Sequence, residues 1–261
     1  MARAGAGLLI DLASRLRGSV LLRSGDSFGA EATSVRHLNI FTVFSKEARE
    51  KERARLADEL NRGYFDDFKE LKRTGGKVAL ASQNLLPAIG AVQFPKLTAY
   101  DTQGRAVVLP INYVEASDKS QTGALKQGSL VCLAFRASAQ SMIDSWTKVF
   151  LTSFHSSRSV ELLQVSVVDS WFLSLRPVRS LLLKSMSSPV LSTGSQPPGR
   201  TLYAFGDSYY FRKELGIPNM LSGYVFLVDT KGRVRWRASG FATAEELASM
   251  ISCIERFLGE H

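Results

Sequence analysis

Along the chain the spacing of apolar positions changes several times, and each change marks an element. From Ser45 to Arg73 the sequence is dense in charge, while Leu56, Leu60, Tyr64, Phe68 and Leu71 keep the spacing of one helical face. Gly75 and Gly76 end that helix. The pairs Glu47 with Lys51 and Asp58 with Arg62 stand four apart in the favourable order, so the charge run reads as a solvated face. Strand patterning follows at Leu97–Asp101 and Arg105–Leu109, with Thr102-Gln103-Gly104 as the turn of a hairpin bracketed by Pro95 and Pro110.

Ser129–Phe135 is a continuous apolar run, short enough to be a strand buried on both faces. A helix is predicted over about 139–154 with Met142, Ile143, Trp146, Val149 and Phe150 on its apolar face, and a second strand over Val160–Val168. Strand, helix and strand in that order imply a right-handed unit with parallel strands. The segment Trp171–Arg200 holds basic residues and no acid, ends in Ser, Pro and Gly, and reads as a loop. Asp207 is the expected N-cap of a helix running to Leu215, closed by Gly216 with Pro218 behind it. Of the aromatic run Tyr209, Tyr210 and Phe211, at least one residue must lie at the surface. A second hairpin joins Tyr224–Asp229 to Arg233–Arg237 through Thr230-Lys231-Gly232. Thr243 and Glu246 form a capping box for a terminal helix whose apolar face includes Leu247, Met250, Ile254 and Phe257.

Composition narrows the possibilities. The 261 residues, 45% apolar, can bury one sizeable core beside an N-terminal extension. The net charge of +9 suits an anionic partner: nucleic acid, acidic lipid or an acidic protein. Cys132 and Cys253 are too far apart for a CxxC or zinc pair, and His37, His155 and His261 are scattered, so neither metal nor cofactor is expected. No apolar run reaches the roughly 18 residues of a membrane-spanning helix, which leaves peripheral contact as the expected mode of any membrane association. There is no GxGxxG or Walker A pattern.

Between Met1 and Arg36 lie Arg3, Arg15, Arg17, Arg23 and Arg36, no lysine, and Leu8, Leu9, Leu12 and Leu16 at helical spacing. This is the pattern of an amphipathic import presequence, and a mitochondrial location is expected. The expected division is 1–36 presequence, 37–94 charged helical extension and 95–261 folded domain.

From Pro95 onward the order hairpin, βαβ, helix, hairpin, helix resembles thioredoxin-like domains, so the expected class is α/β, thioredoxin-like, with an N-terminal β-hairpin. Redox members carry CxxC at the start of the first helix, where the helix N-terminus stabilises a thiolate. The matching stretch here, Phe135–Ser141, has no cysteine. The cis-proline of that class would fall near Gly223.

A closer resemblance rests on Gly75-Gly76-Lys77, Ala81-Ser82, Phe94-Pro95, Asn219, Gly223–Asp229, Arg233–Trp236, Gly240, Ala242 and Glu245. These are similar to the mitochondrial ATP synthase assembly factors that chaperone subunit a, the proton-channel subunit of the Fo sector. The resemblance implies a non-enzymatic chaperone on the matrix side of the inner membrane, in peripheral contact with it, binding subunit a and not nucleic acid. Asn219, Gly223, Tyr224, Arg233, Arg235 and Trp236 are the candidate partner-binding residues. Val234 and Trp236 are expected on one face of the last strand and Arg233, Arg235 and Arg237 on the other, at an open sheet edge where a client segment could add as a strand. Arg233 and Arg235 would then serve binding more than folding. Two alternatives remain: a thiol or peroxide oxidoreductase using Cys132, and a basic organellar RNA-binding protein.

Overall fold

The structure, a computed structural model, describes residues 50, 53–54, 57, 64–112, 126–154, 159–169 and 199–260. The chain divides into two compact units, Met1–Asp66 and Asp67–His261. The expected division at Pro95 falls inside the second. The presequence, most of the charged helix before Tyr64, and the loop after Trp171 up to residue 198 lie outside the described residues.

The described elements are α1 (Tyr64–Thr74), β1 (Leu97–Asp101), β2 (Ala106–Leu109), β3 (Gly128–Ala134), a 3-10 turn at Ala137–Ala139, α2 (Gln140–Phe154), β4 (Val160–Val168), β5 (Arg200–Phe205), α3 (Tyr209–Leu215), β6 (Tyr224–Asp229), β7 (Val234–Ser239) and α4 (Ala244–Gly259). Seven strands form one sheet in the order β2-β1-β5-β4-β3-β6-β7. β3 runs parallel to β4 and β4 to β5; β6 is antiparallel to β3 and to β7. The predicted hairpins, the βαβ unit and the terminal helix are all present. β5 was not anticipated: its alternation of buried Leu202 and Ala204 begins where the Ser, Pro and Gly segment ends, and that segment masks it.

Strand alternation sorts the core into two faces. Leu130 and Cys132 of β3 join Ile143, Trp146, Phe150, Met250, Ile254 and Phe257 beneath α2 and α4. Val131 and Leu133 turn the other way, into a cluster with Phe94, Leu202, Phe211, Leu215 and Phe226. α3 starts one residue later than expected: Ser208 is its N-cap, while Asp207 Oδ1 accepts from the Tyr209 amide at 3.0 Å. Gly216 closes it in the left-handed region, as expected. Tyr210 is the exposed member of its aromatic run, and Tyr209 and Phe211 are buried.

The two hairpins share a device. In Asp101-Thr-Gln-Gly-Arg105 and Asp229-Thr-Lys-Gly-Arg233, the aspartate Oδ1 accepts from two turn amides at 2.9 Å and Oδ2 accepts from the arginine Nε at 2.7 Å. Burial opposes ionisation of Asp101, but the hydrogen bonds and charge of Arg105 hold its carboxyl below the ordinary range.

Residues 75–94 are not helical; they form a strap along β7. Its amides and carbonyls pair with the edge: Ser82 N to Arg237 O at 2.9 Å, Leu86 N to Arg235 O at 2.7 Å, Val234 N to Val92 O at 2.8 Å and Phe94 N to Gly232 O at 2.7 Å. Gly240, at φ +67°, makes the strap's approach possible, because a Cβ there would stand 2.5 Å from the Gly76 carbonyl oxygen. Replacing Gly240 by alanine is therefore expected to destabilise the fold by about 1–3 kcal/mol from backbone strain, with further loss from displacing the strap. Thermal unfolding with hydrogen exchange at the strap amides measures both parts. A melting temperature and exchange pattern equal to the parent's would refute the close approach.

Candidate functional site

At the start of α2, where thiol chemistry would need its nucleophile, the chain supplies Arg136, Ala137, Ser138, Gln140 and Ser141, all exposed, interleaved with buried Phe135, Ala139 and Met142. Ser138 Oγ donates to the Leu221 carbonyl at 3.4 Å, and Gln140 Nε2 donates to Asp144 Oδ1 at 2.9 Å. Gly223 immediately precedes β6 and packs on this turn: a Cβ there would come 3.1 Å from the Ala139 carbonyl oxygen. The cis peptide among the described residues is Leu109-Pro110, in another part of the sheet.

Cys132 lies mid-strand in β3, fully buried and free. Burial pushes its thiol far up, and the Asp144 carboxylate adds to the effect. Cys253 is also free and buried; burial raises it, with Ser249 and Arg256 partly opposing. Such thiols are poor nucleophiles at neutral pH. Among the described residues no cluster of His, Cys, Asp or Glu is placed to hold a metal ion.

The six candidate partner-binding residues do not form an exposed surface. Asn219 is 0% exposed. Its Nδ2 donates to the Asp67 carbonyl at 3.0 Å and to Glu70 Oε2 at 3.1 Å, while Oδ1 accepts from the Leu221 amide at 2.9 Å. Tyr224 is buried beside it, donating its hydroxyl to the Asn219 carbonyl at 2.8 Å. Asn219 and Tyr224 thus fasten the loop before β6 to α1. Gly223 packs on α2 as above. Arg233 closes the second hairpin through Asp229. Trp236 donates from Nε1 to the Ser82 carbonyl at 2.7 Å and meets Trp146 edge-on at 5.7 Å.

Arg235 departs furthest from expectation. The register between β6 and β7 breaks between Leu227 and Val228, so that Trp236 faces Leu227 and Val234 faces Val228 with Arg235 as the extra residue. A bulge of this kind reverses the alternation. Val234 and Trp236 consequently enter opposite core clusters. Arg235, 2% exposed, lies over the Phe257 ring at 5.8 Å. Its Nη2 reaches Glu260 Oε2 at 2.7 Å, and its Nε donates to the Leu86 carbonyl at 2.7 Å. The edge is occupied by the strap and Arg235 ties strap to helix, so reversing its charge would strike folding, contrary to the expectation of an open, solvated edge.

The element that holds this assembly was legible only as a helix cap. Glu246 completes the capping box with Thr243. Its Oε1 also accepts from the Ala81 amide at 3.0 Å, and its Oε2 pairs with Lys77 Nζ. Lys77 donates in turn to the Phe241 carbonyl at 2.6 Å and stands 5.4 Å from the Trp146 ring centroid. Burial opposes ionisation of Glu246, yet Lys77 and the amides of Ala81 and Thr243 outweigh it and lower the carboxyl. The sequence displays Gly76-Lys77 as a motif but carries no sign of its partner, 169 residues away.

β3–α2–β4 with β6 and β7 antiparallel beside β3, and α4 following, is the thioredoxin-like arrangement, here built without a redox cysteine pair. The chain belongs to the ATP10 protein family, whose model matches residues 28–257. Membership supports a role in ATP synthase assembly and suggests a mitochondrial location. No curated protein matches. Similar solved structures include BsSco, a member of the Sco family of cytochrome c oxidase assembly proteins, at 14% identity and TM-score 0.42, covering 69% of this chain and 100% of that one. The thioredoxin domain of a thiol-disulfide oxidoreductase from Bacteroides vulgatus has 14% identity and TM-score 0.39, covering 64% and 96%. StoA from Bacillus subtilis has 14% identity and TM-score 0.33, covering 61% and 97%.

Because the folded-state pKa of Glu246 is depressed, its contribution to stability is present above the ordinary carboxylate value and is lost as pH falls through the folded-state value. Glu246→Gln should lower stability at neutral pH by about 1–3 kcal/mol, the range for a buried charged hydrogen-bonding group losing its partners. The gap between parent and variant should close as pH falls below about 4. Melting temperature against pH measures it, and a gap independent of pH would show that the charge is not what anchors the strap.

Proposed function

We propose that this chain is a non-enzymatic assembly chaperone for the Fo sector of the mitochondrial ATP synthase, binding subunit a on the matrix side of the inner membrane in peripheral contact with it. The observation that carries the non-catalytic part is the α2 start: exposed Arg136, Ala137, Ser138, Gln140 and Ser141 stand at the redox position, and the thiols lie in the core. Family membership supports the assembly role. The presequence-like N-terminus and the net charge of +9 are consistent with a matrix protein near an anionic bilayer. No described helix is long and apolar enough to cross a membrane.

Neither alternative finds comparable support. An oxidoreductase using Cys132 would require the sheet to open before the thiol met solvent. Stacking of RNA bases needs aromatics on an exposed sheet face, whereas β3 and β6 are buried along their whole length.

Two experiments test the reading. Replacing both Cys132 and Cys253 by alanine should leave ATP synthase assembly intact, with a stability loss of about 1–3 kcal/mol from the two small cavities. Loss of assembly in a stably folded double variant would restore the redox alternative. Chemical crosslinking of the full chain in isolated mitochondria, with identification of the adducts, should recover newly made subunit a from the matrix side. Adducts that never include subunit a would remove the proposed client.

A further inference from the structure

From Ser82 to Pro95 the strap carries no charged residue, in a chain where 22% of residues are charged. Part of it is not used to cover the sheet. Leu86 and Val92 bond to adjacent residues of β7, Arg235 and Val234, so Pro87–Ala91 must leave the edge and return to it as a short loop. Gly90, at φ +81°, makes the turn. Ile89 at the tip is 93% exposed, and Val92 at the return is also exposed. Aliphatic side chains held in water on a loop fastened at both ends are an unexplained cost, since each forgoes the burial that stabilises others of its kind.

Beside this loop is a groove of about 460 Å³, bounded on the far side by the C-terminal end of α3. Its apolar floor is Leu215, Phe226 and Val234, which belong to the core cluster on this face of the sheet. Lys213 and Arg237 line it, with Glu214 the acidic residue of the lining. Both cationic side chains are exposed. Lys213 is positioned by Tyr209, whose ring centroid is 5.5 Å from Nζ.

We infer that this groove is a binding site for an extended peptide segment that places apolar side chains between Ile89 and the floor and an acidic side chain against Lys213 and Arg237. The volume fits a few side chains. The lining charge is positive in sum, which favours an acidic group over a basic one. A bilayer could meet Ile89 at the loop tip but could not fill a floor set behind a loop and a helix end, so the recess favours a peptide as the occupant. The inference rests on the reading above only in taking the partner to be a protein; it assigns the surface, not the client.

The test uses the full chain and a fluorescently labelled peptide with two leucines and a glutamate, alongside the same peptide with glutamine in place of glutamate. Anisotropy should show saturable binding, tighter for the glutamate peptide. Ile89→Asp should weaken binding by at least about tenfold with the melting temperature unchanged, since the residue is exposed. Lys213→Glu combined with Arg237→Glu should abolish the preference for glutamate and leave the glutamine peptide bound. A photo-crosslinking side chain at position 89 should label the added peptide.

Unchanged peptide binding in Ile89→Asp would overturn the inference. So would label found only within the chain itself, which would make the groove the seat of another of its own segments. A loss seen only in cosedimentation with phosphatidylcholine vesicles containing cardiolipin would overturn it in favour of a membrane contact. Binding that depends on Ile89, with subunit a missing from mitochondrial crosslinks, would keep the groove and remove the client; the reverse pair would keep the client and remove the groove.

Discussion

The carboxylate of Glu246 sits where three parts of the chain meet. It caps the first turn of α4, receives the Ala81 amide of the strap and pairs with Lys77 at the strap's entry. A helix cap alone is worth about 1 kcal/mol and stabilises one helix. Sharing the same oxygens with the strap makes helix, strap and sheet edge interdependent. Trp236 and Ser249 repeat the arrangement, since both donate to the Ser82 carbonyl from opposite elements. Arg235 closes the far end through Leu86 and Glu260. Without these attachments β7 would present unpaired amides and carbonyls, a template for unwanted strand pairing.

Closing the edge changes what the domain can bind and how. A client segment cannot add to β7 as a further strand while the strap's own backbone groups occupy it. Main-chain pairing, which is indifferent to side chains, is thereby closed off at β7, and this edge presents outward the side chains that the strap leaves outside. The same closure explains why the hairpin that most resembles its family is so deeply buried. Asn219, Tyr224, Arg235 and Trp236 are required by the junction among α1, the strap and α4.

Much of the fold was legible because it is local. Period-two and helical spacing, Gly216 and the Thr243–Glu246 box each depend on neighbours a few residues apart, and each element they mark is present. Three features escaped because their causes are not local. β5 follows a loop-like composition and is defined by pairing with β4 and β1, which only the assembled sheet supplies. The bulge at Leu227 and Val228 defeats an alternation argument that assumes an unbroken ladder. The strap has no local signature, because its extended path is set by bonds to β7 from far along the chain. One missed signal was available: the repeated Asp-Thr-x-Gly-Arg of both hairpins already paired Arg233 with Asp229 as turn residues, which argued against Arg233 as a free binding group.

The α2 corner shows why a thioredoxin-like frame can carry a function other than thiol exchange. Thiol chemistry needs an exposed sulfur at a helix N-terminus and room beside it for an extended substrate. Here the sulfur of Cys132 stands in the middle of β3, and a β-carbon at position 223 would stand 3.1 Å from the Ala139 carbonyl oxygen. With no β-carbon at 223 the loop before β6 can settle onto the helix start, where Ser138 bonds it to Leu221. Sealing that corner trades access for packing. Among the described residues Ile89 is the most exposed of the large apolar side chains, and it stands beside the sheet edge that the strap closes. The same length of chain therefore closes the β7 edge to main-chain pairing and leaves Ile89 in solvent beside the groove bounded by α3, so what this side of the sheet offers outward is side chains rather than backbone.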